Sequence, residues 1–172
     1  MSAHQDLLGK YIESAIIQGK ECWGGNVEVA NSHTLIMREC YSDLCLRGQE
    51  GVDALTSLLN HDNADVRLNA AFGLLPFKPK ESMRALRKLS RSENEVAFRA
   101  ENTLLVWKRG LSQFAMKREG KIVHVSAEEL VCSLKTEWAK VGAGFGGPYN
   151  GKPRYSSILS YWTRMIRKFI RK

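Results

Sequence analysis

Two consecutive stretches decide the fold: ALTSLLNHDNADVRLNAAFGLL at residues 54–75 and ALRKLSRSENEVAFRAENTLL at residues 85–105. Leu55 aligns with Leu86, Leu58 with Leu89 and Asn63 with Asn94 at an offset of 31 residues. After a one-residue deletion, Val66 aligns with Val96, Ala70 with Ala100 and Leu74-Leu75 with Leu104-Leu105 at an offset of 30. A period of this size marks stacked helical-hairpin repeats. Within each copy the apolar residues recur at i, i+3, i+4 and i+7, which is one face of an α-helix. Such a hairpin cannot bury that face alone, so neighbouring hairpins must stack on it.

The punctuation around the copies agrees. Asn60-His61-Asp62-Asn63 reads as a turn, with Asp62 or Asn63 suited to cap the next helix. Pro76 and Pro79 frame the break between copies, and Pro79 suits the first turn of a helix. Ser92-Glu93-Asn94 repeats the turn, and Gly110 ends the last helix after Trp107-Lys108-Arg109. Upstream, Asp6–Gln18 carries a stripe of Leu8, Tyr11, Ile12, Ala15 and Ile16, and Cys22-Trp23-Gly24-Gly25 reads as a loop. A helix over 27–46 would then face Ala30, Leu35, Ile36, Cys40, Leu44 and Cys45 inward. These two helices form a divergent first repeat. Downstream of Gly110 the pattern changes. Lys121–Val125 is rich in β-branched residues and suits a short strand. Ser126-Ala127-Glu128-Glu129 is a capping box that opens a helix through about Val141. A glycine-rich loop over 142–151 leads to a final helix over about 155–170. Its apolar stripe includes Ile158, Trp162, Met165 and Phe169.

The reading is therefore all-α: about three helical hairpins over residues 1–110, and a basic C-terminal helical extension over residues 111–172. The chain's 172 residues, 44% hydrophobic and 26% charged, suit a globular protein. No apolar run approaches the roughly 20 residues that span a bilayer, and Met1–Asp6 lacks the start of a secretory signal. The expected location is cytoplasmic. Cys22, Cys40, Cys45 and Cys132 include no CxxC pair and read as reduced thiols, mostly in the core. The net charge of +8 is unevenly placed. Residues 1–110 hold 14 basic and 14 acidic side chains, whereas residues 111–172 hold 12 and 4. From Lys152 to Lys172 there is no acidic residue, so the tail is a cationic device.

Several motifs carry a chemical reading. Gly142-Ala143-Gly144-Phe145-Gly146-Gly147 formally matches GxGxxG, but a dinucleotide site needs a preceding strand and a helix opening at the motif. Here a helix precedes and Pro148-Tyr149-Asn150-Gly151 follows, which favours a plain loop whose Phe145 and Tyr149 are open to a partner. His4, His33, His61 and His124 are scattered without metal-ligand spacing, and no Ser or Cys nucleophile has an evident His partner. No enzyme activity, metal or cofactor is expected. Asp65 and Arg67 suit ion pairs that bridge neighbouring repeats. Arg84, Arg87, Lys88 and Arg91 crowd one helix and read chiefly as a solvated face, with an interface as the other reading. The final helix has three readings: its apolar stripe docks on the open end of the stack, it binds an acidic protein, or it lies on an anionic membrane surface.

The residues Ala30-Asn31, Leu55-x-x-Leu58-Leu59-x-His61, Val66-Arg67-x-x-Ala70-Ala71-x-x-Leu74-Leu75 and Ala100-x-x-x-Leu104-x-x-Trp107-x-x-Gly110 carry a family likeness. Over about residues 7–110 the chain resembles a bacterial family of small HEAT-like repeat proteins of unassigned function. The resemblance implies an α-α superhelix, and genes of such proteins lie beside polymorphic or Rhs-type toxin genes, as those of immunity proteins do. The expected function is then an immunity protein that binds and neutralises a cognate toxin one-to-one as a monomer. A net charge of +8 points to an acidic or neutral toxin. Nucleic-acid binding is the alternative, since clustered Lys and Arg attract phosphates. The expected partner-contacting residues are Phe145, Tyr149, Arg154, Arg164, Arg167, Lys168 and Arg171.

Overall fold

The structure, a computed structural model, describes residues 3–140. Helix α1 (Ala3–Gly24) and helix α2 (Val27–Leu46) pack along each other as a hairpin. The residues Cys22–Gly24, expected as a loop, are the last turn of α1. The connection needs only Gly25, at φ +84°, and Asn26, whose Oδ1 accepts a bond from the amide of Val29. Gly supplies positive φ without a Cβ penalty and Asn supplies the cap, so two residues suffice. On α2, Ala30, Cys40, Leu44 and Cys45 are buried as expected, but Leu35 is 55% and Ile36 38% exposed. Met37 and Tyr41 take the inward positions, because the buried face of α2 winds past Leu35 and Ile36.

The two repeat copies form consecutive helical pairs. Helix α3 (Gln49–Ser57) runs into a 3-10 turn, Leu58–Asn60, and is followed by α4 (Ala64–Leu74). Asn63 caps α4, accepting from the amides of Asp65 and Val66. Helix α5 (Pro79–Leu89) starts with its proline in the first turn, and α6 (Glu95–Lys108) ends just before Gly110. Helix α4 is the hub: Val66, Leu68, Ala70, Ala71 and Leu74 are buried, and it touches α1, α3, α5 and α6. Fully burying each such Val or Leu side chain contributes about 1.5–3 kcal/mol before the entropy of ordering it. The Tyr41 hydroxyl donates to the Gly73 carbonyl at 3.0 Å, which ties α2 to the end of α4.

The described residues are mostly helical, and the departure is a small two-stranded sheet. Strand β1 (Phe114–Arg118) pairs antiparallel with β2 (Lys121–Val125), Phe114 facing Val125 and Arg118 facing Lys121. The β2 segment matches its expected bounds; β1 has no β-branched residue and left no strand signal. Glu119 and Gly120 both have positive φ, the geometry that tight hairpin turns require. Phe114 stacks on Phe72 at 5.1 Å between ring centroids and meets Trp107 edge-on at 6.2 Å. Helix α7 (Ala127–Lys140) is capped by Ser126, whose Oγ accepts from the amide of Glu129. Its Trp138 is buried and donates from Nε1 to the Cys45 carbonyl at 2.8 Å. The hairpin and α7 therefore share the core of the helical pairs. Among the described residues no helix is long and apolar enough to cross a membrane.

Candidate functional site

Helix α5 is two-sided. Ser82, Leu86 and Leu89 turn inward at i, i+4 and i+7 and are buried. Arg84, Arg87 and Lys88 are exposed, and Arg91 continues the stripe just past the helix end. These four sit at i, i+3, i+4 and i+7, so they form one ridge whose successive turns rise about 5.4 Å. Lys80 and Met83 complete its lining, with no acidic side chain among the ridge residues. The ion pairs of the described residues lie elsewhere. Asp53 holds Lys78 at 2.9 Å, Asp65 holds Arg99, Asp43 holds Lys117 at 3.2 Å and Glu129 holds Arg118 at 3.0 Å.

Beside the ridge runs a groove of about 710 Å³ between α5 and the turn that joins α3 to α4. Its cations are Arg67, Arg84 and Lys88, its acids Asp62 and Glu81. Leu59 and Ala85 lie half-buried on its floor, and Asn60, Ser92 and Asn94 add polar edges. Arg67 is held at one end only: its Nη1 donates to the carbonyls of His61 at 2.6 Å and Asp62 at 2.7 Å. His61 is itself fixed by the turn, its Nδ1 accepting from the Asn63 amide at 3.1 Å. A guanidinium has five N–H donors, and this clamp leaves those of Nε and Nη2 without a partner among the described residues, on a side chain that lines the groove.

The expected bridge between repeats is present, with a different arginine. Asp65 on α4 pairs with Arg99 on α6, and Arg99 also donates to Gln18 Oε1 on α1 at 2.9 Å. Three helices meet at one guanidinium, while Arg67 serves its own turn. The backbone of α1 comes so close here that a Cβ added at Gly19 would fall on the Asp65 carboxylate. Burial pushes the Asp65 carboxyl above the usual carboxylate range, against the opposing pull of Arg99. All four cysteines are free; Cys40 and Cys45 are buried, whereas Cys22 and Cys132 are exposed rather than in the core. Burial pushes the Cys45 thiol up to about 12, which keeps it a neutral core group at pH 7.

The expected contact residues Phe145, Tyr149, Arg154, Arg164, Arg167, Lys168 and Arg171, the glycine-rich loop and the final helix lie outside the described residues. The sequence reads the α5 ridge chiefly as a solvated face, with an interface as the other reading, because residues 1–110 are neutral as one block. Divided at Asp65, the block splits: residues 1–65 hold 4 basic and 10 acidic side chains, and residues 66–110 hold 10 and 4. That split was the available signal.

No family model matches the chain, and no curated protein matches it significantly. Among solved structures it is similar to the protein RPA1889 from Rhodopseudomonas palustris CGA009. The two share 25% identity with a TM-score of 0.59, covering 65% of this chain and 93% of that one.

Proposed function

We propose that this chain is a HEAT-like helical-repeat protein that works in the cytoplasm by binding, without catalysis, and that its partner is an acidic protein. The reading extends to an immunity protein that neutralises a cognate secreted toxin of the Rhs or type VI kind in a one-to-one complex. The observation that carries it is the α5 ridge: Arg84, Arg87, Lys88 and Arg91 are exposed on one line, and none has a carboxylate partner among the described residues. Aligned like charges disfavour a helix by a few tenths of a kcal/mol per pair. A fold that pairs Arg99, Lys78, Lys117 and Arg118 but leaves this ridge bare keeps its attraction for something outside itself. Charge complementarity of this kind speeds capture and rejects like-charged partners. The pairing of α3 with α4 and of α5 with α6 supports the repeat reading, since stacked pairs present an extended flank.

The test is co-expression with the product of the adjacent gene. Rescue of growth and co-purification of a one-to-one complex are expected. Failure to rescue growth or to co-purify removes the immunity reading. A chain that instead retains duplex DNA with micromolar affinity at about 0.1 M salt belongs to the nucleic-acid alternative.

A further inference from the structure

We infer that the groove between α5 and the α3–α4 turn is a docking slot for an acidic, amphipathic segment of the partner protein. The inference rests on the binding reading above and names the chemistry of its contact. The slot combines three features that a bare cationic surface lacks.

The first is Arg67. Its Nη1 is anchored on two backbone carbonyls, so the guanidinium is pre-positioned, and its Nε and Nη2 edge remains for a ligand. That edge matches the two oxygens of a carboxylate, and bidentate pairs of this kind are the stronger class of charged hydrogen bond. Anchoring one end also lowers the side-chain entropy lost on binding.

The second is the spacing of the other cations. Arg84 and Lys88 stand one turn apart on α5 and border both the groove and the ridge. A segment whose first carboxylate meets Arg67 can place further carboxylates against them.

The third is the floor. Leu59 and Ala85 offer apolar surface at the bottom of the slot, room for one aliphatic or aromatic side chain between the flanking charges. The polar edges Asn60, Ser92 and Asn94 suit a peptide backbone.

The same lining sets the choice between peptide and nucleic acid. Asp62 and Glu81 share the groove with the cations. A phosphate backbone, with a charge at every residue and no apolar anchor, would meet both carboxylates and leave the floor bare. An acidic peptide can direct its carboxylates to the cations and its apolar side chain to the floor.

Fluorescence anisotropy on the full chain tests this. The probe is a labelled 16-residue helical peptide with Asp and Glu on one face and a central Leu. Its comparison is the same peptide with every carboxylate changed to the amide, and the competitor is a 16-base-pair DNA duplex. At about 0.05 M salt the acidic peptide binds and the amide peptide binds at least about tenfold more weakly, with the difference shrinking as salt rises. The double variant Arg84→Gln/Lys88→Gln, whose side chains bridge nothing among the described residues, lowers the affinity about tenfold, and Arg67→Gln acts in the same direction. Arg109→Gln, an exposed cation outside the groove, leaves it unchanged.

Equal binding of the two peptides, no binding of the acidic one, or equal losses in the Arg109 and Arg84/Lys88 variants would overturn the slot. So would DNA that displaces the peptide and binds more tightly. Growth rescue separates the two readings. If the unmodified chain rescues and the Arg84/Lys88 variant rescues equally well, the slot fails and the binding function stands.

Discussion

Arg99 on α6 and Arg84 on α5 belong to the same helical pair, yet they do opposite work. Arg99 is 20% exposed, bonded to Asp65 and Gln18, and closes a joint among α1, α4 and α6. Arg84 is exposed and borders an open groove, with no ion pair among the described residues. A charge withdrawn from water must be paired, since a lone buried charge costs several kcal/mol; a charge left in water need not be. The contrast separates arginines that hold this fold from arginines that hold something else, and it can be attacked from either side.

The largest effect is expected at the joint. Gly19→Ala puts a methyl where the Asp65 carboxylate sits, and that carboxylate is tethered by Arg99. Overpacking costs about 1–3 kcal/mol, with loss of the ion pair in addition and a gain in helix propensity near 1 kcal/mol offsetting part of it. A net loss of about 2–3 kcal/mol in urea unfolding is expected. A loss under about 0.5 kcal/mol would mean that α1 does not depend on this contact.

Arg99→Met comes next. It keeps the bulk of the side chain and leaves Asp65 half-buried without its cation, at a cost of about 1–2 kcal/mol near pH 7. The dependence on pH has a definite sign. Burial already holds the Asp65 carboxyl above its unfolded value, so the folded state binds more protons and its stability falls as pH rises through that window. Without Arg99 nothing opposes the burial effect. The variant's deficit is therefore greatest at neutral pH and shrinks as pH falls and Asp65 takes a proton. An unmodified chain whose stability falls on acidification through that window would show that the ion pair, not burial, governs Asp65, and a deficit that does not shrink would show that Arg99 does not act through the Asp65 charge.

The same contrast explains what could be read in advance. The repeat was legible because the two copies write the same buried face, in Leu55/Leu86, Val66/Val96 and Ala70/Ala100, and all six of these side chains lie in the core. Asn63, Pro79 and Gly110 marked boundaries because capping and helix termination are local chemistry. What escaped was relational. Leu35 and Ile36 carry a helical period yet face outward, because which face of α2 is covered depends on α1 and β1. β1 is written in Phe114-Ala115-Met116, where only Phe114 favours a strand, and the segment is held there by Phe72, Trp107 and the Ser42 hydroxyl, which accepts from the Lys117 amide at 2.7 Å. The partner of Asp65 could not be chosen between Arg67 and Arg99, because Arg99 lies 34 residues away. The cationic ridge was visible as a run of residues, but its lack of partners is a property of the surroundings.

The smallest effect is expected on the ridge itself, and its sign is informative. Arg84→Gln/Lys88→Gln removes a like-charge pair at i, i+4, together with the repulsions of Arg84 with Lys80 and Arg87 and of Lys88 with Arg91, which outnumber the attraction of Arg84 to Glu81 and of Lys88 to the C-terminal end of the helix dipole. Each such pair disfavours the helix by about 0.2–0.5 kcal/mol in low salt. The double variant should therefore be slightly more stable than the unmodified chain, with a melting temperature about 1–3 °C higher at about 0.02 M salt. The gain should vanish near 0.5 M salt, where screening reaches only a few ångströms. A melting temperature that falls on neutralisation would place these cations with Arg99, as residues the fold needs, and the ridge would lose its claim to a partner. A rise that survives high salt would trace the effect to helix propensity or packing. Only a salt-sensitive rise fits a surface that keeps uncompensated charge at a cost to its own folding.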